Sequence, residues 1–169
     1  MCVAVIGPGD GAERTACDDA AAIGRLLAEY GFVTLTGGSA SGVMGAAATG
    51  ARAGGGLAIG LMRGLDRDDA AAGLSVALPT GLGEARNAVL VASADAVIAC
   101  GSSPGTASEI ALALRARKPT ILVRPSATTR AFFEQLSGSA PFHSAATPDD
   151  ALRLLLLELG ESQTDRTTP

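Results

Sequence analysis

Short apolar runs of strand length alternate with longer amphipathic runs along almost the whole chain, and this constrains its fold more than any other feature. Residues 3–6, 33–36, 57–61, 75–78, 96–100, 120–123 and 142–145 read as strands. Most are nearly continuous in apolar residues, as expected of parallel strands covered on both faces. Residues 14–30, 41–53, 83–92, 106–116, 129–136 and 148–159 between them read as helices. Tyr30-Gly31 and Arg117-Lys118-Pro119 are helix stops that lead straight into strands. Thr147-Pro148-Asp149-Asp150 is a helix start, with a capping hydroxyl, proline at the first position and acids near the positive end of the dipole.

Alternation of this kind predicts an α/β fold: a doubly wound, mainly parallel, Rossmann-like sheet of about six or seven strands with helices on both faces. The 169 residues suit one domain over residues 1–160, with 161–169 (ESQTDRTTP) expected to be a polar, disordered tail. Hydrophobic residues at 47% and charged residues at 18% exclude disorder for the body of the chain. Aromatics at 3% and a net charge of −4 argue against a nucleic-acid partner, which needs stacking rings and a basic stripe. No apolar stretch is long enough for a membrane span. Cys2, Cys17 and Cys100 show no CxxC or metal-ligand spacing, so reduced thiols and a cytoplasmic location are expected.

Ligands of doubly wound sheets bind beyond the carboxyl ends of the strands. Four loops fall there: Gly7-Pro8-Gly9-Asp10, Gly37-Gly38-Ser39-Ala40-Ser41-Gly42, Pro79-Thr80-Gly81-Leu82-Gly83, and Cys100-Gly101-Ser102-Ser103-Pro104-Gly105-Thr106. The first lacks the third glycine of G-x-G-x-x-G, and the second strand ends without the acid that holds a ribose, so a nicotinamide or flavin dinucleotide is not expected. The second passes from strand through glycines to a helix carrying Met44, an arrangement whose backbone N–H groups converge on an anion. The fourth repeats it, with Gly105-Thr106 opening a helix and Ser102 and Ser103 offering hydroxyls. Arg86 and Asn87 follow the third loop. The arginine is either a phosphate clamp or a surface residue paired with Glu84 or Asp95. Glu109, taken alone, is a first-turn carboxylate favoured by the helix dipole.

The blocks VIGPGD, TGGSASGVMGAAATGARAGG, PTGLGEARNAVLVASADAVIA and GSSPGTASEIALAL, in this order, resemble those of the LOG-like ("lysine decarboxylase-like") Rossmann proteins. The resemblance spans about residues 3–124 and is nearest the branch of the molybdenum-cofactor carrier proteins. In the LOG signature P-G-G-x-G-T-x-x-E, Gly101 stands at the proline, Ser102 and Ser103 at the paired glycines, and Glu109 at the final acid. The family's arginine falls on Arg86.

The resemblance implies two functions. As an enzyme, the chain hydrolyses the N-glycosidic bond of a nucleoside 5′-monophosphate, with Glu109 acting near the ribose and Arg86 holding it ionised. As a carrier, it holds molybdenum cofactor or a related phosphorylated ligand without turnover. Under either reading the ligand set is Gly7, Gly9, Gly37, Gly38, Ser39, Gly42, Met44, Thr80, Gly81, Asn87, Ser102, Ser103, Gly105 and Thr106. No cofactor is required beyond a bound nucleotide or molybdopterin-type ligand, and no metal is expected. A homodimer or homotetramer is expected, with the alanine-rich helix faces, including Ala46-Ala47-Ala48, packing between subunits.

Overall fold

The computed structural model describes residues 1–160; the expected tail, 161–169, lies outside the described residues. The elements run β1 (Cys2–Ile6), α1 (Arg14–Glu29), β2 (Val33–Thr36), α2 (Gly42–Ala53), β3 (Ala58–Met62) and β4 (Val76–Pro79). A short 3-10 turn (Gly83–Ala85) then leads into α3 (Arg86–Ser93), followed by β5 (Ala96–Cys100), α4 (Pro104–Arg115), β6 (Thr120–Val123), α5 (Ala127–Ser137), β7 (Phe142–Ala145) and α6 (Pro148–Glu158). The sheet has seven strands, all parallel, in the order β4-β3-β2-β1-β5-β6-β7. The fold is the doubly wound Rossmann-like arrangement the alternation predicts. The chain winds outward from β1 to one edge, then restarts at β5 beside β1 and winds to the other. That reversal opens a crevice at the carboxyl ends of β1 and β5.

Successive residues of each central strand feed opposite cores. Val3, Val5, Ile98, Cys100, Ile121 and Val123 pack under α1, α2 and α6. Ala4, Ile6, Val97, Ala99 and Leu122 pack under α3, α4 and α5. The continuous apolar composition of the central strands follows from this two-sided burial. The edge strands depart from it: Val76 and Leu78 of β4 remain exposed, and β7 is mostly half-buried.

Helices α1 and α2 approach so closely that a Cβ at Gly50 would lie 1.9 Å from the Ala21 carbonyl oxygen. Ala47 and Ala48 are fully buried within the chain. The Ala46–48 run expected between subunits therefore packs against this chain's own helix and sheet, because small side chains are what so short an interhelical distance requires. Residues 63–75, which connect parallel strands β3 and β4 without a helix, fold back over the β2–α2 turn. Ser39 bridges Ala70, and Ala71 donates its N–H to the Gly38 carbonyl.

Candidate ligand site

A cavity of about 540 Å³ occupies the switch-point crevice. Gly7, Gly9 and Asp10 line it from the β1–α1 turn, and Gly37, Ser39, Ser41 and Met44 from the β2–α2 turn and α2. Met62, Arg63 and Asp69 come from the end of β3 and its returning loop. Arg86 and Asn87 enter from α3; Ser103, Gly105, Thr106 and Glu109 come from the start of α4.

Arg86 is the first residue of α3 and is only 5% exposed. It is not a surface arginine: Glu84 pairs with Arg63 at 2.9 Å, and Asp95 accepts the Cys2 N–H at 2.7 Å. Its guanidinium lies instead against the backbone of Gly37, where a Cβ would stand 2.7 Å from Nη1. Glycine at 37 is thus a matter of room for the cation. Arg86 Nη1 stands 3.6 Å from Glu109 Oε1, close enough for charge attraction but beyond hydrogen-bond length.

Burial is the larger influence on Glu109 and pushes its carboxyl up to about 7, against the opposing pull of Arg86. Arg86 favours the ionised form as expected but does not hold it alone, because a pair at 3.6 Å does not offset the desolvation of the buried carboxylate. Burial also lowers the Arg86 guanidinium below its ordinary value, with Glu109 opposing.

The turn into α4 accommodates its two serines. Its left-handed residue is Gly101 (φ +77°), whereas Ser103 is extended (φ −154°). Serine at the family's glycine positions therefore carries no backbone strain there. Ser103 caps α4: Thr106 N–H donates to its Oγ at 3.2 Å, and Ala107 N–H donates to its carbonyl at 2.8 Å. Pro104 has no N–H, so Gly105 supplies the first-turn N–H that these contacts leave over. Ser102 does not line this cavity; it borders a second one of about 480 Å³, beside Arg124 and Ser126, between the β1–α1 turn and the start of α5.

Four other expected ligand residues do not line the cavity. Thr80 Oγ1 donates to the Met62 carbonyl at 2.8 Å and accepts from Leu82 N–H, which holds the third loop in shape. Gly81 lies against Leu65, Gly38 against Gly60 and Met62, and Gly42 against the carbonyls of Pro8 and Gly9. They shape the turns that the lining residues occupy.

Cys100 is buried in the core and lines neither cavity; burial pushes its thiol up, so it is not poised to meet a metal. His143 bonds Glu158 at 2.7 Å, away from the crevice. Among the described residues no helix is long and apolar enough to cross a membrane.

Arg63 and Asp69 also line the cavity, and neither is among the expected ligand residues. The signal for Arg63 was its place just past a strand's carboxyl end, the same rule that located the other loops. Nothing local marked Asp69, which reaches the cavity only because its loop turns back over β2–α2. Ser108 was also missed; its hydroxyl accepts from Asn87 Nδ2 at 3.4 Å and donates to the Gly105 carbonyl at 2.7 Å.

Fold and crevice together define a Rossmann-type protein with a candidate ligand crevice at the switch point between β1 and β5. Residues 1–152 match the SLOG cluster4 family, and the chain belongs to it. It is 40% identical over 128 residues to an uncharacterised protein of Archaeoglobus fulgidus, covering 74% of this chain and 81% of that one. Its structure is similar to that of the molybdenum cofactor binding protein of Rippkaea orientalis, with a TM-score of 0.91 and 38% identity over 94% of this chain and 96% of that one. The molybdenum cofactor carrier protein of Chlamydomonas reinhardtii is also similar, with a TM-score of 0.88 and 32% identity over 94% and 98%.

Proposed function

We propose that this protein is a carrier that binds molybdenum cofactor, or a closely related phosphorylated pterin, in the β1–β5 crevice without turning it over. The observation that carries this reading is the similarity to the Rippkaea orientalis molybdenum cofactor binding protein over 94% of the chain at 38% identity. The cavity supports it physically: 540 Å³ lies within the roughly 300–1,000 Å³ range of small-molecule sites. The phosphate sits at the start of α4, on the Gly105 N–H and the helix dipole, with the Arg86 guanidinium adding charge nearby. The carboxylates of Asp10 and Asp69 keep other parts of the wall acidic, which favours a ligand with one anionic end and a neutral, donor-bearing remainder. A homodimer or homotetramer belongs to the same reading and is measured by light scattering.

The test is co-purification. Protein expressed in a host that makes the cofactor and purified anaerobically should retain a fluorescent pterin after oxidation. No retained pterin, together with no binding of added cofactor, would overturn the carrier reading.

A second reading rests on Glu109. A buried carboxyl that titrates near neutrality beside an arginine is suited to proton transfer in the hydrolysis of a nucleoside 5′-monophosphate. There it would stabilise the charge that develops on the sugar as the base departs. Release of free base and ribose 5-phosphate by wild type, and not by Glu109→Gln, supports hydrolysis; equal background from both rejects it.

A further inference from the structure

Asn87 is 5% exposed, lines the cavity, and its Oδ1 has no hydrogen-bond partner; Arg86 Nε, on the preceding residue, is likewise unpartnered. A buried carbonyl oxygen left without a donor is costly, so a native fold keeps one where something else completes it. Which end of the amide meets that partner is decided on its other side. Ser108 Oγ has a single hydrogen and gives it to the Gly105 carbonyl at 2.7 Å, so toward Asn87 it is an acceptor only. Asn87 therefore turns Nδ2 to Ser108, at 3.4 Å, and keeps Oδ1 for another donor. The reversed amide would set two acceptors against each other.

A phosphate monoester dianion is acceptor-only and would be repelled by this oxygen. Asn87 therefore does not belong with the phosphate-holding groups, and reads a different part of the ligand. The neighbouring Arg86 guanidinium disfavours a cationic donor at the same place.

Resting on the reading of this cavity as a phosphorylated-ligand site, we propose that Asn87 Oδ1 selects ligands that present a neutral O–H or N–H beside the phosphate-bearing end. Ser108 is the positioning residue that holds the Asn87 amide in this orientation. A ligand with an acceptor or an alkyl group at that point is discriminated against.

The experiment measures dissociation constants by calorimetry for matched probes. Adenosine 5′-monophosphate is compared with its 2′-deoxy and 3′-deoxy analogues, and a phosphorylated pterin with its N3-methyl derivative; inorganic phosphate is the reference. Wild type should bind the donor-bearing member of at least one pair about tenfold or more tighter than its counterpart. The sugar pairs report an O–H and the pterin pair an N–H.

Asn87→Leu should bring that pair to near equality. Ser108→Ala should reduce the ratio without changing affinity for inorganic phosphate, and Ser108→Thr should restore it. Equal affinities within every pair in wild type, or a ratio that survives in folded Asn87→Leu, overturns the selection while leaving the phosphate site standing. Failure of every phosphorylated probe to bind overturns both.

Discussion

Arg86 Nη1 and Glu109 Oε1 face each other at 3.6 Å with both side chains more than nine-tenths buried. The pair joins the start of α3 to the start of α4 across the floor of the crevice. Because it is longer than a hydrogen bond, attraction to the cation only partly offsets the desolvation of the carboxylate. Arg86→Met should therefore raise the Glu109 titration further above 7, read from its carboxyl resonance by NMR. A downward movement would mean that the pair is not what opposes burial.

Glu109 also makes stability depend on pH. Its carboxyl is raised from an ordinary value of 4.5 to about 7, so the folded state holds its proton more tightly than the unfolded chain. The stability this contributes is complete below about pH 4.5 and is lost as pH rises toward and through 7. Denaturant unfolding between pH 5 and 8 should show a decline in wild type that Glu109→Gln removes. An unchanged slope in the variant would assign the dependence to another group.

At Gly37 the nearest obstacles to a side chain are Met44 Sδ at 2.5 Å and Arg86 Nη1 at 2.7 Å, both at the ends of flexible side chains. Gly37→Ala should fold, because those groups can yield, but it displaces the guanidinium from the cavity. Affinity for a phosphorylated ligand should fall by about tenfold or more while Tm changes little. Loss of Tm with unchanged affinity would show that glycine here serves packing alone.

Gly50 contrasts with it, since an added Cβ meets the backbone oxygen of Ala21 at 1.9 Å and backbone cannot move aside cheaply. Gly50→Ala should separate α1 from α2 and cost about 1–3 kcal/mol, despite the better helix propensity of alanine. Calorimetric Tm reads this directly; a stabilised variant would refute the close packing.

Ser103 Oγ accepts from the Thr106 N–H as the cap of α4. Ser103→Ala should cost about 1 kcal/mol, and Ser103→Gly only a few tenths. The glycine variant, which matches the related enzymes, should keep ligand affinity, as the turn's left-handed residue is Gly101. Equal losses from both variants would point to a direct ligand contact by the hydroxyl.

Much of the fold was legible along the chain. The strands at 33–36, 96–100, 120–123 and 142–145 have the expected bounds; 96–100 and 120–123 are nearly continuous apolar runs set off by Gly101 and Pro119. The cap at Thr147 and the turn into α4 were equally local, since a cap needs only the residues within one helical turn. Local pattern also put Gly7, Gly9, Gly37, Ser39, Gly105, Thr106 and Glu109 near strand ends, and all of them line the cavity.

Tertiary structure alone decided the rest. That Arg86 meets Glu109 rather than Glu84 depends on β5 restarting beside β1, which brings α3 and α4 together. No spacing in the sequence encodes that choice of sheet order. Thr80 and Gly81 obeyed the same local rule as Gly37 but do not line the cavity, because they follow the edge strand β4, three places from β1 in the sheet. The charge on Glu109 was hidden for the same reason: a carboxyl's titration follows how much water surrounds it and how far its partner stands. Both are properties of packing.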